Sequence, residues 1–235
     1  MNPFVVAIPL ICSAAIAGAA VSLPYSNTFN SDDGEFFEGT DAQWIETGGV
    51  YRNTNATNSS NSSATVEASR GATDNFTMTT SFTVSDLSTA FSVGFMFLSK
   101  LSGVGDGSYY YFVDVTHAGD IRLYSVSNNG SAAAIANTVP GGTLGTLDLV
   151  ETITMTLTGT FNVSGQLNLS FVVGDGSATR TLTNNSPITP FGGGNVGNYF
   201  GLRNRNNAAD QYIVNYSDFS MVPEPGSALL AGAGA

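Results

Sequence analysis

Thr152-Ile153-Thr154-Met155-Thr156-Leu157-Thr158 alternates a threonine with an apolar residue at every step. Successive side chains of an extended chain point to opposite faces, so Ile153, Met155 and Leu157 share one face and the four threonines share the other. A helix of 3.6 residues per turn would scatter both sets around its axis. β-Branched threonine also favours the extended state. The segment therefore reads as a strand with one dry face and one wet face. The same period returns on both sides of it. Phe76 to Val84 carries Phe76, Met78, Phe82 and Val84 as its apolar set, and Leu167, Leu169, Phe171 and Val173 form another stripe. Half-buried strands of this kind belong to antiparallel sheets. Phe91 to Leu98 is apolar on both sides, with Gly94 between, and reads as a central strand.

The punctuation agrees with the strands. Thr116-His117-Ala118-Gly119-Asp120 joins Tyr109–Val115 to Ile121–Val126, and Asn128-Asn129-Gly130 follows. Asn162-Val163-Ser164-Gly165 precedes Gln166–Val173, and Gly174-Asp175-Gly176-Ser177 leads into Ala178–Leu182. Asn and Gly accept the positive φ that tight hairpins need. No segment of the mature chain has helical apolar spacing with caps. Many strands separated by turn signals predict an all-β sandwich or barrel. Asn53 to Ser63 is a low-complexity run of Asn, Ser, Thr and Ala, and is expected to be an exposed loop.

Of the 235 residues, only 11% are charged, and the formal net charge is -11. So acidic a chain repels nucleic acid and anionic membrane surfaces, which excludes nucleic acid as a partner. Its polar surface must come from Ser, Thr, Asn and Gly, neutral hydrogen-bonding groups suited to a hydrated polysaccharide environment. Phe4 to Val21 is almost wholly apolar and ends in Ala17-Gly18-Ala19-Ala20. That run predicts a signal peptide over residues 1–20, cleaved after Ala19 or Ala20. Cys12 would leave with it, so the mature protein has no thiol chemistry.

After the last strand-like segment comes Val222-Pro223-Glu224-Pro225, followed by a short apolar run to Ala235. This resembles the PEP-CTERM sorting signal of exported bacterial proteins. The resemblance implies an exosortase-type enzyme as partner and a destination at the cell surface or in the extracellular matrix. In that family the tripeptide precedes a membrane-spanning helix and an Arg-rich tail. A spanning helix takes about 20 apolar residues, so residues 222–235 read as a signal cut within its anchor, and contact with the membrane is expected only through the missing part. Two prolines in three residues bar regular structure through them. The motif is accordingly expected to protrude beyond Met221.

Between these ends, residues 22–221 make one domain. Phe29, Asp33-Gly34, Trp44, Gly48-Gly49 and Tyr51 open it. Tyr110-Tyr111-Phe112-Val113-Asp114 and Gly119-Asp120-Ile121-Arg122-Leu123-Tyr124 follow in the middle. Gln211 to Met221 closes it with Asp218 just before its last aromatic, Phe219. This order is similar to that of concanavalin A-like, laminin G-like jelly rolls. The resemblance implies two curved antiparallel sheets with a concave surface open to ligands. It also implies a calcium ion where the first and last strands meet, with Asp218 and Asp33 as the candidate ligands beside Gly34. No other cofactor is expected.

Polysaccharide hydrolases of this superfamily place their carboxylates on one strand as Glu-x-Asp-x-x-Glu or Glu-x-Asp-x-Glu, and neither pattern occurs here. Glu35/Glu38 and Asp32/Asp33 read as solvated loop carboxylates, and His117 as an exposed turn residue without a nucleophile to serve. No residue is assigned as catalytic. Sugar binding needs aromatic platforms with polar groups beside them. Tyr110, Tyr124, Arg203, Asn204 and Arg205 are the candidates, and Tyr110 lies on the face opposite Tyr109 and Tyr111. Trp44 reads as core closure. The sequence thus predicts an exported, non-catalytic surface or matrix protein associated with extracellular polysaccharide. The alternatives are a glycan-binding lectin-like module and a divergent polysaccharide hydrolase.

Overall fold

The computed structural model describes residues 20–30, 34–38, 44–55, 61–84, 91–103, 107–128, 130–136, 139, 151–184, 186–206 and 212–224. Seventeen strands lie among them. In chain order they are β1 (Val21–Ser22), β2 (Tyr25–Asn27), β3 (Phe37–Glu38), β4 (Trp44–Thr47), β5 (Val50–Asn55), β6 (Asn61–Ser69), β7 (Phe76–Val84), β8 (Phe91–Ser99) and β9 (Tyr110–Thr116). They continue as β10 (Ile121–Val126), β11 (Ala133–Ala134), β12 (Ile153–Phe161), β13 (Leu167–Gly174), β14 (Thr179–Thr183), β15 (Tyr199–Asn206), β16 (Tyr212–Tyr216) and β17 (Phe219–Pro223). The signal segment and everything after Glu224 lie outside the described residues.

Two sheets stack face to face. The first runs β1-β6-β15-β8-β9-β10-β11, with β3 also on β6. The second runs β14-β13-β12-β7-β16-β5-β4, with β17 joining β7 to β2. All pairs are antiparallel except the short β1–β6 pair. The stripe that opened the sequence reading is β12. Ile153, Met155 and Leu157 are fully buried between the sheets. Its threonines face outward and meet β7 in register, with Thr158 and Thr77 hydroxyls 3.0 Å apart and Thr154 and Ser81 hydroxyls 3.2 Å apart. The wet face is thus held by cross-strand hydroxyl pairs, a modest contribution of a few tenths of a kcal/mol each, to about 1 kcal/mol.

The core is aromatic. Phe95 from the first sheet meets Phe171 from the second edge-on, with centroids 6.2 Å apart. Phe76 and Phe200 do the same at 5.2 Å. Arg70 closes the end of this stack, its guanidinium 5.4–5.6 Å from the rings of Phe76, Phe161 and Phe200. Burial pushes its pKa down to about 10, against the nearby charge of Asp74. Trp44, expected as core closure, stacks on Tyr51 at 4.9 Å, and Phe29 stacks on the same ring at 5.1 Å. The Gly49 amide donates to the Phe29 carbonyl at 2.8 Å and needs its φ of +81° to do so. The aromatic-glycine-aromatic opening of the domain is therefore one assembled corner.

One sequence expectation fails here. Asn53 to Ser63 is not simply an exposed loop. Asn53 ends buried in β5, and Ser62 and Ser63 are buried in β6. The cause is the Trp44 indole, which cannot be buried without an acceptor. It donates to the Ser62 hydroxyl at 2.7 Å, and the Asn53 amide donates to the same oxygen at 3.2 Å. The turns follow the sequence reading more closely. Asn128 has φ +49°, Gly119 has φ +80°, and the Asn162 side-chain Oδ1 accepts the Ser164 and Gln166 backbone amides at 2.9 Å.

Phe95→Ala is expected to cost about 3–5 kcal/mol, because it opens a cavity between the sheets. Thr154→Ala, on the wet face, is expected to cost under about 1 kcal/mol. Urea unfolding of the two variants checks the assignment of faces, and equal losses would refute it.

Candidate functional site

The outer face of the first sheet carries a polar row that runs straight across five strands. Ser63 of β6 is paired with Arg203 of β15, Arg203 with Gly94 of β8, Gly94 with Asp114 of β9, and Asp114 with Arg122 of β10. Strands two apart are roughly 10 Å from each other. A side chain on the intervening strand would block the approach of Arg203 to Asp114, and Gly94 has none. Any Cβ there would also stand 1.9 Å from the Val113 carbonyl oxygen. The gap lets Arg203 Nη1 donate to Asp114 Oδ2 at 3.2 Å. From the other side, Arg122 donates through Nε to Oδ1 and through Nη2 to Oδ2, both at 2.8 Å. Arg203 Nη2 also donates to Asn61 Oδ1 at 2.6 Å.

A second row lies beside it, with Met96, Phe112 and Tyr124 in register on β8, β9 and β10. Phe112 and Tyr124 stack nearly parallel, 5.2 Å apart at 13°. The Arg203 guanidinium lies over the Phe112 ring at 3.9 Å, and Arg122 lies 5.8 Å from the Tyr124 ring. With Tyr110 and Val126, these residues form a small second core outside the sandwich. β8 is therefore buried on both sides, which is why its sequence is apolar on both.

Electrostatics concentrate here. Asp114 is fully buried and Arg203 nearly so, whereas the Arg122 side chain keeps 22% of its exposure. Burial lowers the Arg203 pKa. Asp114 works against that, and the neighbouring Arg205 and Arg122 add to it. Burial would also lower the Arg122 pKa, but the hydrogen bonds and charge of Asp114 leave it raised. The Tyr110 hydroxyl is pushed up by burial, against the pull of Arg203 and Arg205. Arg205 forms none of the ion pairs found among the described residues, and its buried Nε has no hydrogen-bond partner there. Arg205, Arg122, Phe112, Tyr124 and Ala132 line a cavity of about 230 Å³.

The structure therefore brings four of the five candidate ligand residues together: Tyr110, Tyr124, Arg203 and Arg205. Asn204 is on the opposite face, buried between the sheets, where it accepts the Tyr216 hydroxyl. Sequence reasoning missed Asp114, Arg122 and Phe112. The signal was present, because Asp114 and Phe112 share the face of Tyr110 by alternation and Arg122 shares that of Tyr124. Tyr109 and Tyr111 do take the other face, and both contact Phe191, at 5.4 and 4.7 Å. His117 is exposed in its turn.

Of the two calcium candidates, Asp218 is the one that lies among the described residues. Asp218 bridges the break between β16 and β17. Its Oδ1 accepts the Ser81 amide at 2.9 Å, and its carbonyl accepts the Thr80 hydroxyl at 2.5 Å. Calcium takes six to eight oxygens. No group of three or more His, Cys, Asp or Glu among the described residues is placed to hold a metal, and Asp33 lies outside those residues.

The expectation that the tail leaves the fold at Met221 is also corrected. β17 continues through Val222 and Pro223, paired with Thr77 and Phe76. The Glu224 amide donates to the Asn75 carbonyl at 3.2 Å, and its carboxylate accepts the Thr77 hydroxyl at 2.5 Å. Alternation then turns the missing N–H of Pro223 away from β7. On that side β2 ends opposite Met221, so no ladder bond is lost. Val222 and Pro223 are exposed, and Pro225 lies outside the described residues.

No family model matches this sequence, and no curated protein matches it. Solved structures share the fold. A bifunctional GH43-CE protein of Bacteroides eggerthii superposes with a TM-score of 0.59 at 16% identity, over 85% of this chain and 27% of its own. This chain thus spans about a quarter of that protein's length. The Emp46p carbohydrate recognition domain in its potassium-bound form gives 0.56 at 12% identity, over 83% of this chain and 94% of its own. The exoplasmic/lumenal domain of VIP36, solved bound to Ca2+ and Man3GlcNAc, gives 0.55 at 9% identity, over 81% and 84%. At such identities the likeness concerns the fold, and the chain is a concanavalin A-like antiparallel β-sandwich.

Asp114→Ala would leave two arginines on the outer face with no countercharge. It is expected to cost about 3–5 kcal/mol. The double variant Asp114→Leu/Arg203→Met is expected to recover much of that loss, because it removes the buried charges together. Chemical denaturation of the single and double variants measures the coupling. Simple additivity would show that the row is not a unit.

Proposed function

We propose that this chain is an exported, non-catalytic surface or matrix protein that holds a glycan on the outer face of its first sheet. The observation that carries this reading is the Phe112–Tyr124 stack, flanked by Arg122 and Arg205 at one cavity. Stacked aromatics offer the apolar platform on which a sugar ring settles, and guanidinium forks donate to its oxygens. The fold is shared with carbohydrate recognition domains, which supports a carbohydrate ligand without choosing one. The only carboxylate of the polar row, Asp114, already accepts three hydrogen bonds from two arginines. Glycoside hydrolysis needs two carboxyl groups across the scissile bond.

A hydrolase reading is favoured by one other feature. Glu38 and Glu46 line a separate depression of about 390 Å³, beside Tyr51 and Phe36. Tyr51 donates its hydroxyl to Glu38 at 3.1 Å. If this depression were catalytic, the wild-type protein would release reducing ends from a polysaccharide panel, and Glu46→Gln would stop it.

Export and sorting belong to the same proposal. They rest on the apolar N-terminus and on Val222-Pro223-Glu224-Pro225, with an exosortase-type enzyme as partner. The Thr77–Glu224 hydrogen bond allows the motif and its docking to be tested separately. Glu224→Ala is expected to leave the sandwich folded and to lose surface sorting in a host with the sorting enzyme. Thr77→Val, which keeps the motif, is expected to sort normally. Cell fractionation reads both outcomes, and normal sorting of Glu224→Ala would reduce the tail to a linker.

The glycan reading is tested by retention on an immobilised polysaccharide panel. Wild-type protein is expected to be retained by at least one glycan, and Tyr124→Ala to lose about tenfold or more of that affinity, as aromatic anchors do. Retention that ignores Tyr124 would place the ligand elsewhere.

A further inference from the structure

The charge at the glycan face is opposite to that of the molecule. The chain carries seven Lys and Arg residues against eighteen Asp and Glu, for a net charge of -11. Three of those seven cations, Arg122, Arg203 and Arg205, gather on one face of one sheet. Within hydrogen-bonding distance they share a single carboxylate, Asp114. Asp120, in the turn before β10, adds its charge to that of Asp114 in raising the Arg122 pKa. Three cations to one carboxylate in contact make an excess of positive charge on this face, in a molecule whose net charge is negative.

The contacts of the fold use only part of this excess. Arg122 and Asp114 alone would make a satisfied pair. Arg203 adds a second buried cation, whose Nε has no hydrogen-bond partner among the described residues. Arg205 adds a third cation, half-buried and with no ion pair among the described residues. The hydroxyls of Ser63 and Ser92, in register with Arg203 and Arg205, are also buried without partners there. Buried cations normally come with countercharges, because an uncompensated one is costly. The group that completes the set is therefore an anion.

We infer that the cavity lined by Arg205, Arg122 and Tyr124 takes the carboxylate of an acidic sugar, a uronate residue of a polyanionic polysaccharide. This rests on the glycan reading above and names its ligand class. The cavity volume of about 230 Å³ is below the ~300–1,000 Å³ of clefts that enclose drug-sized ligands, and so suits a single sugar unit. In the bound state the sugar ring lies on Tyr124, and its carboxylate accepts from the partly exposed Arg122 and Arg205. Arg203 is too deeply buried to touch the ligand and acts through its charge. Since the whole molecule repels polyanions, retention of one must come from a local site and not from bulk charge.

The experiment compares polygalacturonate oligosaccharides with the same oligosaccharides after carboxyl reduction, by calorimetric titration at ~0.15 M salt. The two ligands differ only in carrying a carboxylate or a hydroxymethyl group. Wild-type protein is expected to bind the polyuronate about tenfold or more tightly, the effect of one charge-assisted hydrogen bond. Arg205→Gln is expected to cut that preference to about threefold or less, measured as the ratio of its affinities for the two ligands. Tyr124→Ala is expected to weaken both. Equal wild-type affinity for the two ligands would overturn the acidic-sugar inference and leave the glycan reading standing. Binding of neither, together with no retention on the wider glycan panel, would overturn both. A far-UV circular dichroism spectrum matching wild type shows that Arg205→Gln is folded.

Discussion

The buried carboxylate of Asp114 is the constraint around which the outer face of the first sheet is built. It sits on β9 with no solvent exposure, and its two oxygens take three hydrogen bonds from two arginines. Each arginine is fixed by it in turn. Arg122 is held against Tyr124, and Arg203 is drawn across β8 and laid on Phe112. The aromatic stack, the small second core and the cavity mouth all inherit their geometry from those two guanidinium groups. Gly94 is the backbone condition for the arrangement, because only a residue without a side chain lets a cation cross from β15 to β9.

This arrangement also sets the outer face of the first sheet apart from that of the second among the described residues. The outer face of the second sheet is a field of threonine and serine hydroxyls that pair with one another across β7 and β12. Along β7 and β12 this face is wet and its hydroxyls satisfy one another. The first sheet is covered on both sides, and its outer layer keeps unpaired donors. A binding surface with fixed donors loses less freedom on binding than one that must order itself.

How much of this was legible in the sequence depended on the range of the interaction. The period-two stripes of β7, β12 and β13 made the class of fold and the buried faces of Phe82 and Phe171 legible, because alternation is a local property. The turn chemistry at Asn128 and Asn162 was legible for the same reason. The burial of Asn53, Ser62 and Ser63 was not. It is set by a tryptophan from another strand, and a run of Asn and Ser looks the same with or without an indole above it. The row from Ser63 to Arg122 was hidden likewise, because its members come from five strands and only their register makes them neighbours. Asp218 is read as a candidate metal ligand by its place in the last strand, and the hydrogen bond that its carboxylate accepts from the Ser81 amide was not legible, because it depends on the break in pairing between β16 and β17. Pro223 and Glu224 looked like a departure from the fold, but a hydroxyl on β7 holds the strand for two residues longer.

The central claim is that ligand binds over Tyr124 between Arg122 and Arg205. Its most direct test is backbone and arginine side-chain NMR of the isotopically labelled protein titrated with polyuronate oligosaccharide. The account predicts that the largest shift changes fall on Arg122 Nε, Arg205 Nε and the amides of β9 and β10 from Phe112 to Tyr124. The β7–β12 threonine face should stay unchanged. Changes centred instead on Glu38, Glu46 and Tyr51 would contradict it and move the functional site to the opposite corner of the sandwich.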